Sequence, residues 1–134
     1  MTSTMPMLRT YPAETELDQG RLATAIDAMI ACAQTCTACA DACLGEEMVA
    51  ELRACIRTNA DCADVCEATA RVLSRQTAPN PTVTAALLAA CEAVCKACGD
   101  ECASHAEMHE HCRICADACR ACEQACRDLR DALG

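Results

Sequence analysis

The spacing of the cysteines is the feature that most constrains what this chain can fold into. Within four clusters, successive cysteines lie three or four residues apart, except for one gap of seven. An α-helix has 3.6 residues per turn, so residues at this spacing share one helical face. The pattern predicts four helices, each with a stripe of thiols at the positions that leucines fill in an ordinary bundle. The sixteen positions are Cys32, Cys36, Cys39, Cys43, Cys55, Cys62, Cys66, Cys91, Cys95, Cys98, Cys102, Cys112, Cys115, Cys119, Cys122 and Cys126.

The rest of the composition indicates a helical core made of small side chains. The chain has 134 residues, enough for one domain, and its only aromatic residue is Tyr11. Alanine, the best helix former, is its most abundant residue. Because large aliphatic residues are scarce, the core has to be built mainly from alanine methyl groups and thiols.

The charge and the hydropathy disfavour several classes of protein. The formal net charge of −9 opposes binding to nucleic acid. No continuous apolar run approaches the roughly 20 residues of a membrane-spanning helix, and the first residues show no secretory signal pattern. We therefore expect a cytoplasmic protein without membrane association, in a compartment where thiols stay reduced and disulfides are rare.

Turn signals divide the chain into an N-terminal arm and an all-α domain. The arm, residues 1–13, contains two prolines and is expected to be disordered or to form a short helix. Residues 14–134 are expected to form an antiparallel, up-down four-helix bundle with a cysteine-lined core, because short connections make neighbouring helices antiparallel. The predicted helices cover residues 18–44, 46–75, 81–103 and 104–133.

Three local signals support those boundaries. Gly45 is suited to the left-handed conformation that follows many helices. Asn80 is placed to cap the third helix, with Pro81 at its first position. Ser104 and Glu107 match a capping box, which predicts that the fourth helix begins at Ser104.

Large apolar side chains near the start of the first and third helices and near the end of the second and fourth predict an apolar plug. In an antiparallel bundle these side chains meet at one end, so the thiols line the middle and the other end, which we call the mouth. The turns at Gly45 and Ser104 close the mouth. The expected plug residues are Leu22, Ile26, Met29, Ile30, Val72, Leu73, Val83, Leu87, Leu88, Leu129 and Leu133.

Metal binding accounts for inward thiols better than packing or disulfide formation does. Alanine or valine would fill the same space without the risk of oxidation. Cysteines three or four residues apart on one helix are poorly aimed for a disulfide, and the reducing compartment disfavours bridges between helices. Thiolate ligands select Cu(I), Zn(II) or iron–sulfur clusters.

Charge favours Cu(I) among these metals. Structural zinc takes four ligands, so about four Zn²⁺ would leave the thiolates with a large negative charge in a core of low dielectric constant. Cu⁺ ions that share thiolates can instead match the thiolates in number. Iron–sulfur clusters usually take cysteines from loops. The sequence contains no paired Glu-x-x-His motif, catalytic triad or nucleotide-binding loop, so we do not expect an enzyme.

Histidine and methionine residues at the mouth are further candidate ligands. His105, His109 and His111 are predicted to take part in the entry of metal ions, since neutral imidazole binds soft and borderline metals. Met48 and Met108 offer thioethers at the same end.

Two polar residues lie on or beside the thiol stripe of the second helix. Asn59 takes the place of a cysteine there, as an oxygen ligand, a spacer or a tolerated residue. Asp61 lies beside Cys62, and it is either an oxygen ligand or part of the solvated acidic surface.

The C-x3-C-x2-C-x3-C pattern, seen from Cys32 to Cys43 and from Cys91 to Cys102, resembles that of the bacterial copper storage proteins. The resemblance covers about residues 15–133 and, without a signal peptide, is greatest to the cytosolic branch. It implies a bundle that stores many Cu(I) ions along its axis through the sixteen cysteines. It also implies assembly as a homotetramer and copper entry at the mouth.

The sequence therefore predicts a cytosolic Cu(I) storage or buffering protein that serves copper tolerance or supply. A copper donor protein or a small-thiol complex of copper is the expected partner. Two alternatives stay open. A zinc or heavy-metal buffer would bind about four ions per chain. A thiol–disulfide redox module would lose titratable thiols under mild oxidation.

Overall fold

The computed structural model describes residues 1–133, which form α-helices and one short 3₁₀ helix, without a β-strand in that range. Helices α2 to α5 form a bundle in which α2 packs against α3 and α5, and α4 packs against the same two helices. The predicted all-α bundle is confirmed. The elements are α1 (Thr4–Arg9), α2 (Gln19–Leu44), the 3₁₀ helix (Val49–Leu52), α3 (Arg53–Leu73), α4 (Pro81–Ala103) and α5 (Glu110–Ala132).

Two helices begin with side-chain caps. The Asp18 carboxylate accepts a hydrogen bond from the backbone N–H of Arg21 at 2.9 Å. The Asn80 side chain accepts from the N–H groups of Thr82 and Val83, so the predicted cap of α4 is confirmed. These bonds satisfy N–H groups that have no partner within the helix.

The connection after α2 differs from the prediction. Gly45 has a φ of −83° and stays in the right-handed region. Its N–H bonds back to the carbonyls of Asp41 and Ala42, and the chain continues in tight turns. The helix predicted from residue 46 therefore starts later, as the 3₁₀ helix followed by α3 at Arg53, because burial of Leu52 pulls this segment against the bundle.

The predicted capping box at Ser104 is wrong. Ser104 ends α4, and its hydroxyl donates a hydrogen bond to the carbonyl of Glu101 at 2.6 Å, as the chain leaves the helix. The next residues form a turn, and α5 begins at Glu110 with His109 as its extended N-cap. This turn directs the His109 side chain into the mouth.

The plug is smaller than predicted. Ile30 and Val83 are 43% and 48% exposed, so they lie on the outer surface rather than in the plug. The neighbouring residues of their helices take the inward face. Val72, Leu87 and Leu133 are partly buried. The buried plug side chains are Leu22, Ile26, Met29, Leu73, Leu88 and Leu129.

The N-terminal arm forms a short helix that rests against α2. Leu8 of α1 is buried in the core. The hydroxyls of Thr2 and Thr4 both donate to the carboxylate of Asp27 on α2, at 2.6 Å.

Helices α2 and α4 are long and apolar enough to cross a membrane by length and composition, with mean hydropathies of 1.3 and 1.4 over their most apolar windows. This differs from the expectation drawn from continuous apolar runs, because cysteine and alanine raise the hydropathy without forming such runs. The bundle buries 50% and 33% of those windows. The absence of membrane association stays a prediction.

Candidate metal centre

The sixteen cysteines form a continuous column of sulfur along the axis of the bundle, which we call the thiol column. All sixteen are free, buried thiols. Helical periodicity brings each stripe inward, because each helix packs against two neighbours and leaves its cysteine face toward the axis. The column is therefore shielded from bulk solvent and lined by sulfur from all four helices.

Contacts between helices arrange the column in layers. The level Sγ–Sγ contacts between α2 and α5 are Cys39–Cys112 at 3.9 Å, Cys36–Cys115 at 3.6 Å and Cys32–Cys119 at 3.9 Å. Those between α3 and α4 are Cys55–Cys102 at 3.8 Å, Cys62–Cys95 at 3.8 Å and Cys66–Cys91 at 3.7 Å. Successive inward positions of one helix, taken toward the plug, thus contact successive inward positions of the facing helix. Diagonal contacts, Cys36–Cys119 at 3.7 Å and Cys66–Cys95 at 3.5 Å, join one level to the next.

Four layers follow from these contacts, with Cys43 above them at the mouth and Cys126 below them at the plug. The mouth layer contains Cys39, Cys55, Cys102 and Cys112. The amide layer contains Cys36, Asn59, Cys98 and Cys115. The middle layer contains Cys32, Cys62, Cys95 and Cys119. The lower layer contains the three thiols Cys66, Cys91 and Cys122.

Thiols of adjacent layers lie close enough to share ions. Cys32 belongs to one group of four sulfurs within the middle and amide layers and to another that reaches Cys66 and Cys122. Cys36 and Cys39 likewise each belong to two groups, and the ligand atoms of each group lie within 4.8 Å of one another. Overlapping groups suit ions that share thiolates better than isolated tetrahedral sites, which need four ligands each.

Asn59 is buried and occupies a full position in the column. Its amide oxygen accepts hydrogen bonds from the thiols of Cys98 at 2.9 Å and Cys115 at 3.1 Å. Its amide nitrogen donates to Cys55 at 3.6 Å. The oxygen therefore points to the same space as the sulfurs around it, which is the position an oxygen ligand or a hydrogen-bonding spacer requires.

His111 connects the mouth surface to the column. Its Nδ1 lies 3.3 Å from the sulfur of Cys39 and 3.6 Å from that of Cys112. With Cys43 these residues form a group that can hold a metal ion. His111 is about a quarter exposed, so this is the end at which the column meets solvent.

Glu46 holds the two inner histidines of the mouth together. Its carboxylate contacts His109 Nδ1 at 2.8 Å and His111 Nε2 at 3.0 Å. The two imidazole rings are stacked, with centroids 5.5 Å apart. The other nitrogen of His109, Nε2, lies 3.2 Å from the sulfur of Met48. A thioether, two imidazoles and the first thiols thus lie next to one another at the mouth.

The environment of the mouth makes Cys39 its most acidic thiol. A hydrogen bond with Cys102, together with bonds to Cys55 and His111, lowers the pKa of Cys39 to about 5. Burial raises the pKa of Cys43 to about 11 and also raises that of Cys112. Of these three thiols at the mouth, Cys39 is therefore the one that most readily offers an anionic ligand.

Hydrogen bonds also set the charge of the residues around Cys39. Burial lowers the pKa of His111, but its bonds to Cys39 and Glu46 outweigh that effect and raise it above the ordinary value. The bond from His111 lowers the pKa of Glu46. Imidazole, carboxylate and thiolate thus stabilise one another at the mouth.

Three predicted candidates lie outside this cluster. His105 contacts Glu101 at 3.3 Å, one turn away on its own segment. Met108 is two-thirds exposed. Asp61 forms an exposed ion pair with Arg57 at 3.0 Å, so it belongs to the solvated surface.

Sequence reasoning missed the part played by Glu46. The second helix is predicted to start at residue 46, but the helix begins later and the Glu46 carboxylate bridges two histidines instead. The contact crosses more than sixty residues of sequence, so no local pattern indicates it.

Comparisons with known proteins agree on one family. The family model described as copper storage protein matches residues 18–131. No match was found among curated proteins. The structure of the copper storage protein Ccsp from Streptomyces lividans loaded with 10 copper equivalents is 59% identical, covers 96% of this chain and 98% of its own, and has a TM-score of 0.95.

Two further structures from Streptomyces lividans are similarly close. A cytosolic copper storage protein studied during copper loading, with five coppers, is 63% identical, covers 86% of this chain and 96% of its own, and has a TM-score of 0.85. A Ccsp variant with one histidine replaced by alanine is 61% identical, covers 88% and 98%, and has a TM-score of 0.87.

Proposed function

The chain belongs to the copper storage protein family, and from this premise we propose that its sixteen core cysteines are the ligands of a multinuclear Cu(I) store. The observation that carries the proposal is the overlap of the sulfur groups in the thiol column. Each Cu⁺ that binds displaces a thiol proton to solvent, so the charge of the core stays near zero as it fills. The chain stores copper and performs no chemical transformation of it.

Copper enters at the mouth. Met48, which is partly buried, and His109, which is buried, provide neutral, soft to borderline ligands at the mouth. His111 then passes the ion to Cys39 and Cys112, which its Nδ1 contacts. Glu46 orients both imidazoles as a carboxylate partner commonly does for metal-binding histidine. His105 acts outside this path, as a neighbour of the opening.

The relatives support the location and the storage of several copper ions. A close relative is cytosolic, and another holds 10 copper equivalents. We place this chain in the cytoplasm, where reduced thiols are available for copper. A donor protein or a small-thiol complex of copper supplies the mouth, because free Cu⁺ would bind the first thiolate it met.

We propose that the chain assembles as a homotetramer. A groove of about 1040 Å³ lies between α2 and α3, lined by Ile30, Ala33 and Ala70 among other residues. Ile30 is exposed there although it is apolar. Sedimentation of the purified chain tests this assembly, and a monomer at all concentrations would contradict it.

An anaerobic Cu(I) titration of the reduced, metal-free chain tests the function. A chromogenic Cu(I) chelator competes for the metal, and the chain is quantified by its thiols because Tyr11 is its only aromatic residue. We expect the chelator to stay copper-free until many equivalents, on the order of one per cysteine, have been added.

The same titration separates the alternatives. Competition by the chelator after only a few equivalents would contradict copper storage. Tight binding of about four Zn²⁺ per chain would then support a zinc buffer. Loss of thiols under mild oxidation without metal would support a redox module.

A further inference from the structure

The lower layer of the thiol column has three thiols where the mouth and middle layers have four. Cys66 lies 3.7 Å from Cys91 and 3.9 Å from Cys122, sulfur to sulfur. These three come from α3, α4 and α5. Helix α2 contributes no thiol to this layer.

Met29 is the residue of α2 that occupies the vacant position. It precedes Cys32 by three residues and so continues the inward stripe of α2. Along α2 and α5, the contacts step from Cys39–Cys112 through Cys36–Cys115 to Cys32–Cys119. The next step of the same register pairs Met29 with Cys122. The Met29 side chain is fully buried, which fits this placement.

We propose that the Met29 thioether is a metal ligand at the floor of the column, where it binds Cu(I) together with thiolates of the lower layer. A thioether is a soft ligand of the type that selects Cu(I). It is also neutral, so it adds no negative charge beside the apolar plug, where an unbalanced charge is costly. A leucine at position 29 would fill the same space if packing were the only requirement there.

The amide layer also has one position without a cysteine, and a neutral side chain occupies it. Asn59 replaces a thiol of the amide layer and directs its oxygen at the neighbouring sulfurs. Both positions that lack a cysteine within the layers therefore carry a neutral side chain with a donor atom. Met29 extends the store by one soft ligand beyond the sixteen cysteines. This inference rests on the proposed copper storage.

Selenium absorption spectroscopy tests the ligand directly. The chain is labelled with selenomethionine, loaded with Cu(I) to capacity, and measured at the selenium edge. In a Met48→Leu background, which removes the methionine placed on the entry path, we expect a selenium–copper scattering path that disappears when Met29→Leu is added. Leucine preserves the size of the side chain and its helix propensity but has no donor atom.

Two further variants make the assignment specific. Met48→Leu alone removes the partly buried thioether that contacts His109 at the mouth, so the path that this variant has to keep is the one from Met29. Ile26→Leu changes packing in the plug without touching sulfur, and it too has to keep the path. Circular dichroism of each metal-free variant shows that the bundle is folded.

The outcomes separate this inference from the proposed function. A wild type that stores copper but shows no selenium–copper path would overturn the Met29 ligand and leave copper storage intact. A path that survives when both Met29 and Met48 are replaced by leucine would do the same. A wild type that binds only a few copper ions would overturn copper storage and the Met29 ligand together.

Discussion

The position of each cysteine along its helix determines its role in the thiol column. The alternation of three and four residues places every cysteine inward, and the structure buries all sixteen. That result follows from helical geometry alone. The roles of Asn59, Glu46 and His111 depend on contacts between helices, which a single sequence does not display.

Replacing His111 separates entry from storage. We expect His111→Ala to slow copper loading by roughly tenfold. This is the lower end of the effect that replacing a residue next to metal ligands usually has on metal binding or activity. The number of ions bound should not change, because all sixteen thiols remain. Stopped-flow absorbance of the copper–thiolate band measures the rate.

His105→Ala is the matched control for this experiment. His105 is also a histidine near the mouth, but it contacts Glu101 and lies outside the sulfur cluster. Its rate should stay close to that of the wild type. Equal rates for the two variants would show that His111 is not on the path.

Asn59→Asp tests how dry the column is. The new carboxyl would lie in a fully buried position among thiols, and burial raises the pKa of an isolated carboxyl by up to about 3–5 units. Below pH of about 3.9 it is neutral in both states and costs little. Above that pH only the unfolded chain ionises, so stability falls by about 1.4 kcal/mol per pH unit until the raised pKa is reached.

Denaturant unfolding of the metal-free variant at several pH values measures this loss. At neutral pH we expect a deficit of roughly 3–4 kcal/mol relative to the wild type. Asp61→Asn is the control, because Asp61 is exposed and pairs only with Arg57, and its effect should stay within about 0.5 kcal/mol. A pH-independent deficit for Asn59→Asp would mean that water reaches the column.

At the scale of elements, the helices were predictable and their ends at the mouth were not. Asn80 caps α4 as expected, because the Asn-Pro signal acts through adjacent backbone N–H groups. Serine is also a common helix N-cap, but the Ser104 hydroxyl donates to the carbonyl of Glu101, and Ser104 lies at the end of a helix instead. Ile30 was expected in the plug but is exposed on α2. A single apolar residue therefore does not show which face of a helix turns inward.

Helices α4 and α5 are held together on their outer side by charged residues. Arg120 of α5 contacts Asp100 of α4 at 2.7 Å, and Arg127 and Arg130 both contact Glu92. The guanidinium of Arg120 lies over Gly99, where a Cβ atom would approach its Nη1 to 2.9 Å. Glycine at this position therefore permits the close approach of the arginine.

Gly99→Ala tests this contact through a double-mutant cycle. With Arg120 present, the gain in helix propensity of about 0.5–1 kcal/mol is opposed by displacement of the guanidinium from an exposed ion pair worth at most about 1 kcal/mol. We expect the net change in the free energy of unfolding to be near zero. In an Arg120→Ala background the full gain should appear. Equal effects in the two backgrounds would contradict the coupling.

At the scale of the whole molecule, the column has to be stable both empty and full. Neutral thiols are small apolar groups that pack as the alanines do. The plug and α1 add conventional apolar burial at the other end, including Leu22, Leu88 and Leu8. Because these contacts do not involve metal, we expect the fold to form without copper. This distinguishes the chain from a zinc finger, which is unfolded without its ion.

We therefore expect a chelator to empty the chain without unfolding it. Far-ultraviolet circular dichroism of the reduced, metal-free chain should retain the helical signal of the loaded chain. Copper should raise the thermal midpoint, because a ligand that binds only the folded state stabilises it. A random-coil spectrum after removal of copper would mean that metal–thiolate bonds, rather than the plug and the thiol packing, hold the bundle together.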